Sequence, residues 1–420
     1  MTVQGFRGEI LTVPEDRAPH VHHADGLLVV EDGMVVANGT YAELAPRFAG
    51  VPVEALNGLI VPGFVDAHVH YPQIERIASH GAQLLEWLER HIFPAEAAFA
   101  DRKHADAIAA FFLDELLRNG TTSALVFATV HSGSVDALFE AALARDMRII
   151  SGKVMMDLGP PELRDTEGRA ETEALIAKWR GRGRLGYAVT PRFVLTSSDE
   201  QLADAGALLA AHPDVLLHTH LAENHGEIAA VRERFAREYL DVYDRFGLVG
   251  PRSVFAHCVH MSDPAMARMA QAGAGIAFCP TSNFFLGSGL FDLAQADRHG
   301  VRVGMGTDIG AGTSLSVLHT LGEAYKVCQL RGESLDSFRA LHLATAGGSR
   351  IMGLSDRVGA LQPGQEADFV VLDDKATPLL ARRTAGASLH DRLFALQVLG
   401  DDRAIAATYL RGRRAYSKAN

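Results

Sequence analysis

Pro62-Gly63-Phe64-Val65-Asp66-Ala67-His68-Val69-His70 is a short apolar run that ends in two histidines one residue apart. Side chains on a β-strand alternate between faces, so a strand here projects His68 and His70 from the same face. Two neighbouring imidazoles at a strand end make half of a metal site, because neutral ring nitrogens bind zinc at about 2.0–2.1 Å. The chain carries 19 histidines, enough for one His-x-His to arise by chance. Its reading therefore depends on which partners the other strands supply.

Outward from that run, further strand-like stretches lie at 123–127, 148–156, 185–190, 215–221, 253–256, 274–278 and 301–305. Helical patterns separate them, for example at 104–117 and at 263–272, the latter opening on Ser262-Asp263-Pro264 with good N-terminal chemistry. Strands alternating with helices predict a parallel sheet, and these seven stretches with the opening run make the eight strands of a (β/α)8 barrel. On both sides the texture is different. Near the start, Leu27-Leu28-Val29-Val30 and Met34-Val35-Val36-Ala37 flank Glu31-Asp32-Gly33, a hairpin signal. Near the end, Ala367-Asp368-Phe369-Val370-Val371-Leu372 and the run 404–410 are again β-like. The expected fold is α/β: a TIM-like barrel over 63–357 and a small β-rich domain built from both chain ends, 1–62 and 358–420.

The composition suits this size of core. At 420 residues, with 48% hydrophobic and 22% charged residues, the chain has room for one large domain and a satellite. No apolar run reaches the roughly 18 residues of a membrane span. The segment Met1-Thr2-Val3-Gln4-Gly5-Phe6-Arg7 lacks a basic stretch followed by an apolar one, so a cytoplasmic location is expected. Cys258, Cys279 and Cys328 are too few and scattered for a disulfide framework or a zinc knuckle, and read as small core residues. A net charge of −11 disfavours a nucleic-acid partner and suits a small neutral substrate.

Active sites of such barrels lie at the C-terminal ends of the strands. The residues that end the apolar runs are His68 and His70, His218-Thr219-His220, His257, and Asp308. Singly, His257 could be a satisfied strand-end histidine, Asp308 a helix N-cap before Ala311-Gly312-Thr313, and His220 a loop residue. Together they form a donor set for one catalytic metal with an open position for water. His218 and His220 share a strand face, and Glu223, three residues after His220, favours His220 as the ligand and itself as a proton shuttle. His218 then has a supporting role, and His260 is a candidate wall residue with no assigned part.

These marks resemble the amidohydrolase superfamily: the Pro62–His70 run, His220-Leu221-Ala222-Glu223, His257, Thr307-Asp308, and Gly364-Gln365-Glu366-Ala367-Asp368-Phe369. A narrower resemblance, to the guanine deaminase family, rests on five further stretches. They are His70-Tyr71-Pro72-Gln73, Gln83-Leu84-Leu85-Glu86-Trp87-Leu88, Thr190-Pro191-Arg192-Phe193, Cys279-Pro280-Thr281-Ser282-Asn283, and Leu399-Gly400-Asp401-Asp402-Arg403. The resemblance implies one zinc ion held by His68, His70, His220, His257 and Asp308, although imidazole and carboxylate also suit iron or manganese. It implies hydrolysis of guanine to xanthine and ammonia in a homodimer, with guanine held by Gln73, Arg192 and Phe193 and bordered by His220 and Asp308. Asp308, Glu223 and His257 would manage the water and its protons. An arginine fork matches the adjacent O6 and N7 acceptors of guanine, Gln73 offers a donor and an acceptor, and Phe193 offers a flat face. Without the resemblance, Arg192-Phe193 reads as a surface ion-pair partner beside a core aromatic.

Two rival chemistries find less support. A bridging, carbon-dioxide-modified lysine would imply two metals, but Lys153 lies inside an early run and reads as structural. The zinc deaminases of the nucleic-acid-editing type need a Cys-x-x-Cys, which this chain lacks. Related alternatives are an aminohydrolase or chlorohydrolase for another purine, pyrimidine or triazine, and a catalytically silent scaffold.

Overall fold

A computed structural model, which describes residues 2–81 and 83–418, joins the two ends of the chain in one seven-stranded sheet. Residues 1, 419 and 420, at the outer limits of the expected end segments, lie outside the described residues. Strands β1 (Val3–Thr12), β2 (Val21–Glu31) and β3 (Met34–Thr40) are antiparallel neighbours, and β4 (Val53–Pro62) runs parallel to β1. Asp32 and Gly33 connect β2 to β3 with φ of 48° and 87°, the left-handed pair that a two-residue hairpin requires.

The barrel follows directly. Its strands are β5 (Phe64–His70), β6 (Thr121–Phe127), β7 (Arg148–Gly152), β8 (Val154–Met155), β9 (Gly186–Pro191), β10 (Leu216–Leu221), β11 (Ser253–His257), β12 (Gly275–Phe278) and β13 (Arg302–Met305). All the recorded pairings between them are parallel. β5 and β6 are buried along their whole length, as strands covered by helices on one side and packed inside the barrel on the other must be. The expected continuous run 148–156 is broken at Lys153. There the backbone N–H donates to the Tyr187 hydroxyl at 3.1 Å instead of continuing the ladder, so β7 and β8 pair separately with β9. Taken as one broken strand, they leave the count at the eight expected. The ends of the order meet through the chain beyond β13: Asp308 N donates to His68 O, and His70 N to Ile309 O, both at 2.8 Å.

Helix Arg102–Arg118 buries Ala105, Ile108, Ala109, Phe112, Leu113, Leu116 and Leu117 on one stripe, starting from an Asp101 cap that accepts Lys103 N. Helix Asp263–Ala272 matches its expected bounds, capped by Ser262 and ended by Gly273 at φ 72°. Inside the barrel, Val65, Ala67, Leu125, Ile150, Ala188, Leu216, Val254 and Ala277 form one apolar layer. The β5–β6 register shifts between Asp66 and Val69, and across that irregularity the inward face passes from Val65 and Ala67 to His68 and His70.

After the barrel, β14 (Phe369–Leu372) pairs with β4, and β15 (Ile405–Leu410) and β16 (Arg413–Ser417) extend the sheet. Helices Pro378–Thr384 and Leu389–Leu399 lie between β14 and β15, and the second packs against barrel helix Val317–Leu330. The three cysteines are buried and free. Among the described residues, no helix is long and apolar enough to cross a membrane.

Candidate active site

Strands β5 and β10 and the turn after β13 bring His68, His70, His220 and Asp308 together, with one donor atom from each lying within 4.8 Å of all the others. His68 Nε2 is 3.1 Å and His70 Nε2 3.3 Å from Asp308 Oδ1, and His70 Nε2 is 3.2 Å from both His68 Nε2 and His220 Nε2. Ligands placed tetrahedrally about 2.0–2.1 Å from a zinc ion are separated by about 3.3–3.4 Å. The donor set therefore has the spacing of one such ion. Its tautomers fit as well: His220 Nδ1–H donates to Arg192 O at 2.7 Å, which leaves Nε2 as a lone pair. His68 Nδ1 meets His218 Nε2 at 2.7 Å, so His218 stands behind a metal donor.

His257, expected in the same set, is placed beside it. Its Nε2 is 3.5 Å from Glu223 Oε2 and 3.8 Å from Asp308 Oδ2, while Asn283 Nδ2 donates to its Nδ1 at 3.0 Å. An imidazole that accepts at Nδ1 carries its proton on Nε2, so His257 turns a donor toward the two carboxylates. Glu223 in turn accepts from Ser288 Oγ at 3.0 Å. Ala222, His257 and Asp308 all adopt left-handed backbone, with φ of 50°, 73° and 51°. Such conformations are costly for residues with side chains, and here they turn the chain sharply where a strand hands over to the site.

Burial dominates the electrostatics. It pushes His70 down to about 4 and His257 to about 3, and His220 well below the ordinary histidine range, so the rings are neutral as ligands require. Burial would raise Asp308, yet His68, His70 and His257 hold its carboxyl well below the usual range. Burial raises Glu223 well above that range, helped by the charges of Asp308 and Glu227 and opposed by Ser288 and Asn283. Two carboxyls in one site are thus driven apart, one toward base and one toward acid.

The same cavity is walled by Gln73, Leu84, Trp87, Leu88, Arg192 and Phe193. Arg192 is 3% exposed, so it is no surface ion-pair partner. Its Nη1 donates to both oxygens of buried Glu96, at 2.6 and 2.9 Å, and Gln73 Nε2 donates to Glu96 Oε1 at 2.8 Å.

The sequence model of the amidohydrolase family matches residues 59–415. Over 432 aligned residues the chain is 48% identical to a guanine deaminase of Escherichia coli (strain K12), with 99% of this chain and 98% of that one covered. The chain belongs to the guanine deaminase family of amidohydrolases. A solved structure of the E. coli guanine deaminase superposes with a TM-score of 0.96, covering 99% of this chain and all of that one. Another, a guanine deaminase from C. acetobutylicum with guanine bound in its active site, has a TM-score of 0.92 at 29% identity, covering 99% of this chain and 100% of that one.

As a member of this family the chain shows features its motifs did not announce. Glu96 belongs to none of the quoted stretches and meets Gln73 and Arg192 across 23 and 96 residues of sequence. Asn283 lies in a quoted stretch, but its contact with His257 depends on the packing of the helix Pro280–Phe285 against the end of β11. Ser288 carried no signal at all. His260 is absent from the cavity wall and meets Ser288 O through Nε2 at 2.6 Å. Lys153 donates to Asp165 at 2.6 Å and lies 3.1 Å from Glu171, a buried ion pair away from the metal donors.

Proposed function

We propose that this chain hydrolyses guanine to xanthine and ammonia. The observation that carries the reading is one cavity holding both the metal donors His70, His220 and Asp308 and the hydrogen-bonding edge of Gln73 and Arg192. Guanine O6 and N7 are adjacent acceptors that a guanidinium fork matches. Phe193 supplies an apolar face, Gln73 a second polar edge, and Trp87, Leu84 and Leu88 exclude water. The solved relative with guanine in its active site supports the same substrate.

His68, His70, His220 and Asp308 would hold a zinc ion, whose Lewis acidity would lower the pKa of a water there to about 7. In the overall change the water oxygen bonds to C2 of guanine and the bond from C2 to the exocyclic nitrogen breaks. Asp308, kept ionised, accepts the first water proton. Glu223, whose carboxyl is poised to hold a proton, delivers it to the ring nitrogen, carries the second water proton to the departing amine, which leaves as ammonia, and regains the proton held by Asp308. His257 Nε2 lies 3.5 Å from Glu223 and 3.8 Å from Asp308, a position from which its ring would orient a water between them. A cytoplasmic location and a homodimeric state are part of this proposal, and the resemblance supports the dimer.

Ammonia release is to be measured on guanine and on a panel of other purines, pyrimidines and triazines. The expected result is a kcat/KM for guanine well above all others. Faster release of ammonia from another base, or of chloride from a chlorotriazine, would overturn the assignment.

A further inference from the structure

Gln73 and Arg192 do not meet the cavity in arbitrary orientations. Gln73 Nε2 donates to Glu96 Oε1 at 2.8 Å, and Gln73 Oε1 accepts from the backbone N–H of Gly310 at 3.2 Å. A carboxylate takes only donors, so a reversed amide would set oxygen against oxygen at one end and N–H against N–H at the other. The guanidinium of Arg192 donates to Glu96 through Nη1 and lies over the Phe93 ring, 5.5 Å from its centroid. Phe93 and Glu96 stand on one short helix, Phe93–Ala97, so a single segment supplies both contacts. Gly310 follows Asp308 by two residues, and a Cβ there would lie 2.6 Å from Gln73 O, which ties the arrangement to the turn that carries a metal donor.

We infer that Glu96 is the positioning residue of the purine pocket: it fixes the Gln73 amide and, by occupying Nη1, leaves the Nε–Nη2 edge of Arg192 to read O6 and N7. Glu96 is 1% exposed and is not part of the cavity wall, so it acts through its two partners and not on the purine. The inference rests on the guanine reading above.

The test is a double-mutant cycle on kcat/KM for guanine, using Glu96→Gln, Arg192→Ala and the pair. Glu96→Gln keeps the volume of the side chain but presents an N–H where a donor must be accepted. Alone it lowers kcat/KM by about 30-fold or more, the order expected for losing a hydrogen bond to a charged group, and the loss falls chiefly on KM. In the Arg192→Ala background the same change costs less than about 10-fold, because one of the two partners through which it acts is gone and only the Gln73 contact remains to be lost. Equal factors in both backgrounds, or a loss confined to kcat, would overturn the inference. Should Glu96→Gln unfold the chain, Glu96→Asp, which keeps the charge one methylene short, carries the same cycle. Wild-type turnover of guanine is measured first. Its absence overturns the parent reading alone, and the cycle is then read on the dissociation constant of guanine by calorimetry.

Discussion

At the end of the barrel nearest the small sheet, Arg184 Nη2 contacts Glu366 at 2.7 Å and also Asp368, while Arg148 Nε donates to Glu366 Oε2 at 3.0 Å. Asp368 also accepts the backbone N–H of Arg411 at 2.9 Å. Cations and anions answer one another there, and the cluster pins β14 to the starts of two barrel strands. At the opposite end, His68, His70, His220 and Asp308 aim their donor atoms at one common point. Both ends carry marks of the same superfamily. What separates a structural clamp from a reactive site is whether the buried groups pair cation against anion or converge as donors on one shared point, and the contrast can be attacked from either side.

Removing the metal should have the largest effect. Chelation should abolish guanine turnover while circular dichroism stays near native, because the barrel core carries the fold. Loss of the dichroism signal would make the metal end structural too. Next comes Glu223→Gln, which keeps shape but removes the titratable carboxyl: kcat should fall by at least about 10²-fold with metal content unchanged. Lost metal would show Glu223 to be a ligand or its support.

A smaller effect is expected at the purine wall. Arg192→Ala should cost about 1–3 kcal/mol in kcat/KM for guanine, and less for 2-aminopurine, which lacks O6. Equal losses for both would assign Arg192 to structure. The smallest effect on catalysis belongs to the clamp. Glu366→Ala leaves Arg184 and Arg148 short of a buried partner, so stability to urea should fall by about 3–5 kcal/mol while kcat per folded molecule stays within about twofold.

Acid should separate the two ends as well. His70, held at about 4 against an unfolded value near 6.5, takes up its proton in the unfolded chain first, so metal-free protein loses stability as pH falls below about 6.5. Glu366 behaves differently. Burial raises its carboxyl, but Arg148 and Arg184 outweigh this and hold it below the ordinary range. Its contribution is full above about 4.5 and is lost as pH falls through its lower folded value. The gap in thermal midpoint between wild type and Glu366→Ala should thus be level from pH 8 to about 5 and shrink below. A gap that already closes near pH 6.5 would contradict this assignment.

The barrel and its metal donors were legible because each is a local signal: an apolar run, then a polar residue where it stops. The break at Lys153 was not, since it depends on the Tyr187 hydroxyl of a neighbouring strand. The same reason hid Glu96. His257 was legible as a strand end, but its contact with Asn283, which comes from the helix Pro280–Phe285 after the next strand, was not. Left-handed backbone at Ala222 left no trace in composition, because alanine is not chosen for that conformation.

The most direct test is reconstitution: metal-stripped protein is titrated with zinc while ammonia release from guanine is followed. No activity is expected at zero metal, with a linear rise that breaks at one equivalent per chain. Full activity in the stripped protein, or a break at two equivalents, would contradict that expectation.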